Sequence, residues 1–165
     1  MHLKGQVEWA LHCCALLAGL PAEHYLSTKD LAEFHGLPKE YLSKALQSLS
    51  QAELVESTLG PRGGYRLAKT PEQISFLDIV EAVEGKQSTF ICNEIRKNNP
   101  CRPMANFDTR LDAKPCGIAR IMWDADEAWR DRLRRVTLSD LLDMLQKELP
   151  VALLQKSADW ITARI

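Results

Sequence analysis

The segment from residue 38 to residue 67 most constrains how this chain folds. After Pro38, leucines recur at four- and three-residue steps at positions 42, 46 and 49, which predicts an amphipathic helix from about 38 to 53. Pro38 suits the first helical position because its missing N–H would have no partner there. Alternating residues then flank the turn Gly60-Pro61-Arg62-Gly63-Gly64, which predicts a β-hairpin with a glycine-rich tip. A helix followed at once by a hairpin is typical of the winged helix-turn-helix.

Two further helices are predicted before this segment. Residues 5–18 predict a first helix, and the three- and four-residue steps of its apolar residues predict a buried stripe of Val7, Leu11, Ala15 and Ala18. Ser27 is a favourable N-cap and Gly36 a favourable residue after a helix end, so a second helix is predicted over residues 28–35. This second helix, a short turn and the helix that follows Pro38 form the predicted helix-turn-helix.

The second half of the chain is predicted to contain helices on both sides of a long loop. Ser75 caps a helix that ends at Gly85, with inward residues Phe76, Ile79, Val80 and Val83. Residues 86–116 hold three cysteines and three prolines and little periodicity, which predicts a loop with at most a helical turn near residues 93–97. Helices are expected over 117–135, 138–149 and 151–164.

The fold class that these segments predict is mainly α with a small β-hairpin wing. The predicted parts are a winged helix-turn-helix domain over residues 1–85, a cysteine-bearing loop over 86–116, and a dimerisation helix with C-terminal helices over 117–165. The apolar face of the long helix is too long for a small domain to cover alone. Part of it is therefore expected to pack against a second subunit.

A set of polar residues on the helix-turn-helix and the hairpin forms a candidate surface for double-stranded DNA. Such side chains reach phosphates and base edges when a helix lies in the major groove, and an arginine at a wing tip is attracted by a narrow minor groove. A helix face that is simply exposed to solvent would carry similar residues. The hairpin that follows the helix is the feature that favours DNA binding over this alternative. The candidates are Thr28, Lys29, Lys39, Glu40, Tyr41, Ser43, Lys44, Gln47, Arg62 and Tyr65.

Composition restricts the other function classes. The net charge is −1, so no strong overall positive field attracts nucleic acid, although residues 38–70 contain five Lys or Arg against three Asp or Glu. The N-terminal apolar stretch is interrupted by charged residues, and no stretch approaches the roughly 18 apolar residues of a membrane span, so a cytoplasmic protein without a membrane partner is expected. No nucleotide-binding glycine loop or serine-nucleophile motif is present, so neither an enzyme nor a small-molecule substrate is expected.

The five cysteines and one Glu-His pair are the candidates for metal or redox chemistry. An odd cysteine count in a chain without export signals favours free thiols or metal ligands over disulfides. Glu8 and His12 lie one turn apart on the first helix, where they either present an oxygen and a nitrogen to one point or remain an ordinary solvated pair. The adjacent Cys13 and Cys14 are expected to serve in packing. The remaining cysteines are Cys92, Cys101 and Cys116, and the last begins the long helix, whose N-terminus favours a thiolate.

Two motifs resemble those of a known family. The run Leu59-Gly60-Pro61-Arg62-Gly63-Gly64-Tyr65-Arg66-Leu67, followed by Ile74-Ser75-Phe76-Leu77-Asp78-Ile79-Val80-Glu81-Ala82-Val83-Glu84-Gly85, resembles the wing and linker helix of the Rrf2 family of bacterial transcription regulators. Trp9 between Glu8 and His12, together with the segments around Cys92 and Cys116, resembles the redox-sensing RsrR-type subclass. This resemblance implies a homodimer that binds operator DNA.

The resemblance also implies a 2Fe-2S cluster that is ligated by Glu8, His12 and two cysteines and bridges the two subunits. Cys116 with Cys101 is the predicted cysteine pair, and Cys92 is the substitute, since its apolar neighbours favour a buried thiol. Trp9 is the predicted redox relay, because it adjoins Glu8. The signal implied is redox state, nitric oxide or iron supply. The alternative is a cluster-free regulator of the same fold that uses its cysteines as thiol switches or binds zinc with His12.

Overall fold

The structure, a computed structural model, describes residues 3–61 and 63–165 and has a mainly helical fold with one small β-hairpin. This confirms the predicted fold class. None of the helices in these two ranges is long and apolar enough to cross a membrane. In chain order the elements are α1 (Gly5–Ala18), α2 (Thr28–His35), α3 (Lys39–Gln51), β1 (Val55–Thr58), β2 (Gly64–Leu67), α4 (Phe76–Glu84), α5 (Gly117–Arg134), α6 (Leu138–Glu148) and α7 (Val151–Thr162), with short 3-10 helices at Pro71–Gln73, Ile95–Asn98 and Thr109–Ala113.

The chain forms two compact units. One comprises Gln87–Arg132, and the other combines the described residues from Leu3 to Lys86 with Leu133–Ile165. We call these the loop unit and the winged-helix unit. The three-part domain division expected from the sequence stays a prediction.

The helix-turn-helix forms where the local signals predict it. The Ser27 hydroxyl accepts a hydrogen bond from the Asp30 N–H at 3.1 Å, and Gly36 ends α2 in the left-handed conformation, with φ of 63°. Pro38 occupies the N-cap of α3 rather than its first helical position, a shift of one residue. The predicted leucines of α3 at positions 42, 46 and 49 are all fully buried, which confirms that face.

The wing is the antiparallel pair β1–β2, in which Val55 lies opposite Leu67. Gly64 is needed because a Cβ on it would lie 2.3 Å from the carbonyl oxygen of Leu26, and a Cβ on Gly63 would lie 2.4 Å from the carbonyl oxygen of Thr58. The two glycines of the motif therefore allow backbone segments to approach each other. Arg62, the predicted minor-groove residue, lies outside the described residues.

The segment before α2 joins the wing. Leu26 and Tyr65 exchange two backbone hydrogen bonds, with N···O distances of 3.0 and 2.9 Å. The ring of Tyr65 packs against the core. Because Leu26 immediately precedes the N-cap of α2, the wing is tied directly to the start of the helix-turn-helix.

The predicted buried stripe of α1 is wrong in part. Only Val7 of the predicted set is fully buried, and Leu11, Ala15 and Ala18 are half-buried. The helix is apolar around most of its circumference, so its sequence does not define one inward direction. Contacts with α3, α4, β2 and α6 set the helix orientation instead. The residues buried there are Val7, Ala10, Cys13, Cys14 and Leu17.

Capping boxes define the starts of α4 and α6. The N–H of Ser75 donates to the Asp78 carboxylate at 2.8 Å, and the N–H of Asp78 donates back to the Ser75 hydroxyl at 3.2 Å. In α4 the predicted inward Phe76 and Val83 are only half-buried, which corrects the expectation for those two residues. Leu77 is buried in their place alongside Ile79 and Val80, because α4 is covered on two sides, by α1 and by α3.

The loop unit has few buried side chains. In α5 only Ala119 is buried, whereas the apolar Ile118 and Ile121 are 65% and 70% exposed. Polar contacts hold the start of the loop on this helix: Thr89 donates to Asp126 at 2.9 Å, and the indole N–H of Trp123 donates to the Phe90 carbonyl at 3.3 Å. The expected helical turn near residues 93–97 is a 3-10 helix displaced slightly, at Ile95–Asn98.

Candidate functional site

The outer side of α3 carries most of the polar residues that the sequence assigned to a DNA surface. Lys39, Glu40, Lys44 and Gln47 are exposed, and Tyr41 is 57% exposed. The opposite side of the helix is buried against α1, α4 and β1. The structure therefore holds α3 in place and leaves one row of charged, amide and phenol groups accessible.

The other predicted contacts differ in accessibility. The Ser43 hydroxyl donates to the Lys39 carbonyl at 2.8 Å, so it offers only its lone pairs to another molecule. Lys29 is exposed and Thr28 is half-buried in the first turn of α2. Tyr65 is also half-buried, with its ring against the core. Each stays a predicted DNA contact.

A network at the base of the wing was not predicted from the sequence. Arg66 pairs with Glu56 on the neighbouring strand and with Glu23 at 3.2 Å, and it lies over the ring of Tyr25 at 4.9 Å from the centroid. The hydrogen bond from Arg66 is the main reason that the pKa of Glu56 is lowered. Arg66 is therefore engaged within the protein. The pairing of Arg66 with Glu56 could have been predicted from the strand register, since opposite charges that face each other across two strands attract.

Glu8 and His12 are both exposed on α1, one turn apart, as predicted. They lie at the boundary of two cavities in the winged-helix unit. The smaller, of about 360 Å³, is also lined by Trp9, His35 and Leu37. The larger, of about 590 Å³, is otherwise lined by Leu3, Lys4, Gly5, Val7, Leu11, Ala15, Phe76, Leu141 and Leu145. A carboxylate oxygen and an imidazole nitrogen are thus accessible beside a mostly apolar surface.

His35 is a neighbour of this pair that sequence reasoning missed. Its ring centroid lies 5.6 Å from that of His12, and its Nε2 is buried without a hydrogen-bond partner among the described residues. Burial, and secondarily the charge of His12, lowers the pKa of His35, which favours its neutral imidazole. The sequence contained no signal for this contact, because it depends on how α1 packs against the end of α2.

Cys13 and Cys14 are completely buried in the core, which confirms the expectation of packing. Burial raises the pKa of Cys13 to about 12 and also raises that of Cys14. Both thiols are therefore protonated at neutral pH and are poor nucleophiles and poor metal ligands.

The carboxylate of Glu94 connects two of the three loop cysteines. The Cys92 Sγ lies 3.8 Å from Glu94 Oε1, and the backbone of Cys116 helps to lower the pKa of the same carboxyl. A hydrogen bond from Arg96 is the main cause of the lowered pKa of Glu94. Cys116 precedes the first residue of α5, as predicted, and its carbonyl accepts the Arg120 N–H at 3.0 Å.

Cys101, the preferred partner of Cys116 in the sequence prediction, is exposed. It lines a cavity of about 360 Å³ in the loop unit together with Arg96, Arg102 and Asp112. Arg102 pairs with Asp112 and lies over the Phe107 ring at 4.1 Å. The choice between Cys101 and Cys92 stays a prediction, and the Glu94 contacts are an argument for Cys92.

Residues 3–61 and 63–165 contain no group of three or more His, Cys, Asp or Glu side chains arranged to hold a metal ion. The candidate ligands instead occur as pairs, Glu8 with His12 in the winged-helix unit and cysteines in the loop unit.

Comparison with known proteins identifies the family. A family model described as Rrf2, iron-dependent transcriptional regulator, matches residues 3–144. The chain belongs to the Rrf2 family. Protein rrf2 of Nitratidesulfovibrio vulgaris is 34% identical to it over 122 residues, covering 73% of each chain. The regulator NsrR of Bacillus licheniformis is 26% identical over 142 residues, covering 86% of this chain and 92% of NsrR.

A solved structure supports the fold of this Rrf2 protein. CymR, the global cysteine regulator of B. subtilis, matches with a TM-score of 0.64 at 24% identity, covering 87% of this chain and 98% of CymR. The family resemblance predicted from the wing and linker motifs is confirmed. The Rrf2 protein is thus a DNA-binding transcription regulator, a class whose members are typically not enzymes.

Proposed function

We propose that this Rrf2 protein senses redox state through a 2Fe-2S cluster ligated by Glu8, His12, Cys116 and one further cysteine. The observation that carries the proposal is the exposed Glu8-His12 pair beside a cavity, in a family described as iron-dependent. The contact of the Cys92 Sγ with Glu94 at 3.8 Å, beside the carboxyl whose pKa the Cys116 backbone lowers, favours Cys92 over the predicted Cys101 as the further ligand. The donor set fits such a cluster, which accepts thiolate and imidazole ligands.

A bound cluster would supply a one-electron redox change, at a potential that is raised because neutral imidazole replaces thiolate. The protein's own residues would convert this change into altered DNA affinity. Trp9 adjoins Glu8 and lines the same small cavity as His12, so a change at the ligands would displace its indole. Because α1 packs against α3, this movement would shift the population of DNA-binding conformations.

Ligand variants test the cluster proposal. Anaerobically purified protein is expected to be coloured and to contain iron and sulfide in equal amounts, whereas His12→Ala, Cys116→Ala and Cys92→Ala are expected to lose or shift the visible spectrum. Cys101→Ala decides between the two cysteine pairs, and His24→Ala is the control because His24 is an exposed histidine away from the site. A colourless wild-type protein from cluster-competent cells would refute the proposal. A Glu8→Ala variant with unchanged redox-dependent DNA binding would refute the relay through α1.

We also propose how the regulator binds DNA. The exposed row of α3 enters the major groove, Thr28 and Lys29 approach the DNA backbone, and Arg62 enters the minor groove.

Lys44→Ala is expected to weaken binding similarly at all DNA sequences and to reduce the slope of log affinity against log salt concentration by about one, while Gln47→Ala changes base preference. Lys156→Ala, an exposed lysine on α7, is the matched control. Arg62→Ala should weaken binding most at narrow A·T-rich sites, and an unchanged affinity would remove the wing from the interface.

The homodimer is part of the proposal. Exposed Ile118 and Ile121 form an apolar surface on α5 that a second copy would cover. Light scattering is expected to give a dimer for the wild type and a monomer for Ile121→Glu. The cluster would then bridge the subunits, with Glu8 and His12 from one and the cysteines from the other. Co-purified heterodimers of a His12→Ala chain and a Cys116→Ala chain should retain about half of the cluster if ligation crosses the interface, and none if it does not.

A second candidate function uses cysteine chemistry without iron. Cys101 is the most exposed loop cysteine, and an accessible thiol is a candidate for a switch or, with His12, for zinc binding. The visible spectrum separates the two functions, because zinc and thiols are colourless. Peroxide-dependent DNA binding that is abolished by Cys101→Ala in iron-free protein would support the thiol switch.

A further inference from the structure

One ring nitrogen of His35, Nε2, is buried but lacks a hydrogen bond within the described part of the chain. Buried ring nitrogens are normally paired, and an unpaired one calls for a physical reason. The cavity beside His35 is lined by Glu8, Trp9, His12 and Leu37.

His35 is fixed in place, whereas His12 has room to turn. His35 is the last residue of α2, immediately before the left-handed Gly36, and its ring packs edge-on against Phe34 at 5.0 Å. Phe34 in turn packs against Trp160 of α7, also at 5.0 Å. His12 is exposed on α1, so its ring can rotate at little cost.

The separation of the two imidazoles is close to that of a hydrogen-bonded pair. Rings joined by an N–H···N bond of about 3 Å have centroids roughly 5 Å apart, and the His12 and His35 centroids are 5.6 Å apart at an interplanar angle of 55°. This separation leaves room for one N–H···N hydrogen bond between the two rings once the His12 ring turns. A histidine that binds a metal through one nitrogen normally donates its other N–H to an acceptor nearby, which fixes its tautomer and orientation.

We infer that His35 is the positioning residue for His12, accepting at Nε2 the ring N–H that His12 keeps when its other nitrogen binds iron. This inference rests on the proposed cluster. His35 then also connects the cluster site to the helix-turn-helix. The residue ends α2, and the turn at Gly36 and Leu37 leads from it into α3. A change at the cluster ligand is thereby transmitted to the helix-turn-helix directly, in addition to its transmission along α1.

Three variants test this role in the cluster-loaded protein. His35→Phe keeps a planar ring and removes the nitrogen, His35→Gln supplies an amide oxygen that accepts a hydrogen bond, and His24→Phe is the matched control. His24 is exposed, with its Nδ1 2.9 Å from the Ala22 carbonyl. The readouts are the rate of cluster loss to an iron chelator and the pulsed-EPR quadrupole coupling of the remote His12 nitrogen in the reduced protein.

His35→Phe is expected to lose the cluster about 10 to 100 times faster than wild type, with a changed nitrogen coupling. His35→Gln restores both values, and His24→Phe changes neither. Equal loss rates and couplings in wild type and His35→Phe would overturn the inference and leave the cluster proposal intact. Failure of His35→Gln to rescue would overturn it as well. Should His35→Phe not fold, the coupling of His35→Gln decides: a wild-type value supports the hydrogen bond, and a changed value overturns it. A cluster-free wild-type protein would overturn both proposals.

Discussion

Substitution of Gly64 by alanine is the sharpest test of how the wing is attached to the helix-turn-helix. The added Cβ would lie 2.3 Å from the carbonyl oxygen of Leu26 and 2.8 Å from the nitrogen of Ser27. The first distance is about 1 Å inside van der Waals contact. Both obstructing atoms belong to the backbone, so no side-chain rotation relieves the clash, and the segment that precedes α2 must move away from β2.

The expected loss of stability follows from two contributions. Overpacking costs about 1–3 kcal/mol, and the separation weakens the two backbone hydrogen bonds between Leu26 and Tyr65, each of which contributes about 1 kcal/mol. We expect Gly64→Ala to lower the free energy of unfolding by about 3 kcal/mol. For a chain of this length that lowers Tm by roughly 6–12 °C.

Guanidinium unfolding at one fixed protein concentration measures the change, because dimerisation would make apparent stability concentration-dependent. Gly5→Ala is the control: Gly5 begins α1, and a Cβ there meets nothing within 4 Å. Amide hydrogen exchange should show lost protection at Leu26 and Tyr65 in Gly64→Ala alone. A Gly64→Ala protein within about 0.5 kcal/mol of wild type, the range of ordinary surface substitutions, would refute the argument that backbone approach at Gly64 attaches the wing.

Three further outcomes are expected. Ser75→Ala removes the hydroxyl that accepts the Asp78 N–H and should cost about 1 kcal/mol in thermal unfolding; an unchanged Tm would show that the cap contributes nothing. Leu46→Ala empties a fully buried site in α3 and should cost about 2–5 kcal/mol in denaturant unfolding, and a smaller loss would mean that the core collapses around it. The raised pKa values of Cys13 and Cys14 mean that the folded state holds these protons more tightly than the unfolded state. The contribution of these two thiols to the free energy of unfolding should therefore be fully present below pH 9 and decrease as the pH rises from about 9 towards 12. If a variant with both cysteines replaced by alanine shows the same decrease, other groups cause it.

Short-range signals were sufficient for most of the secondary structure. The limits of α2 follow from Ser27 and Gly36, which act within a few residues of the helix ends, and the structure has the same limits. The wing was predictable for a similar reason, since glycines and alternating residues encode a hairpin locally. The orientation of α1 was not predictable, because an apolar helix can bury any side and its neighbours decide which one.

The same distinction between local signals and tertiary contacts applies to the candidate site. The sequence determined that Glu8 and His12 lie one turn apart, that Cys116 immediately precedes α5, and that α3 has one polar face, because each statement depends only on helical periodicity and helix ends. Only the tertiary structure decided that His35 lies beside His12 and that Arg66 is engaged with Glu23 and Tyr25 at the base of the wing. Those contacts join residues on different elements, and they exist only because packing of the core brings those elements together.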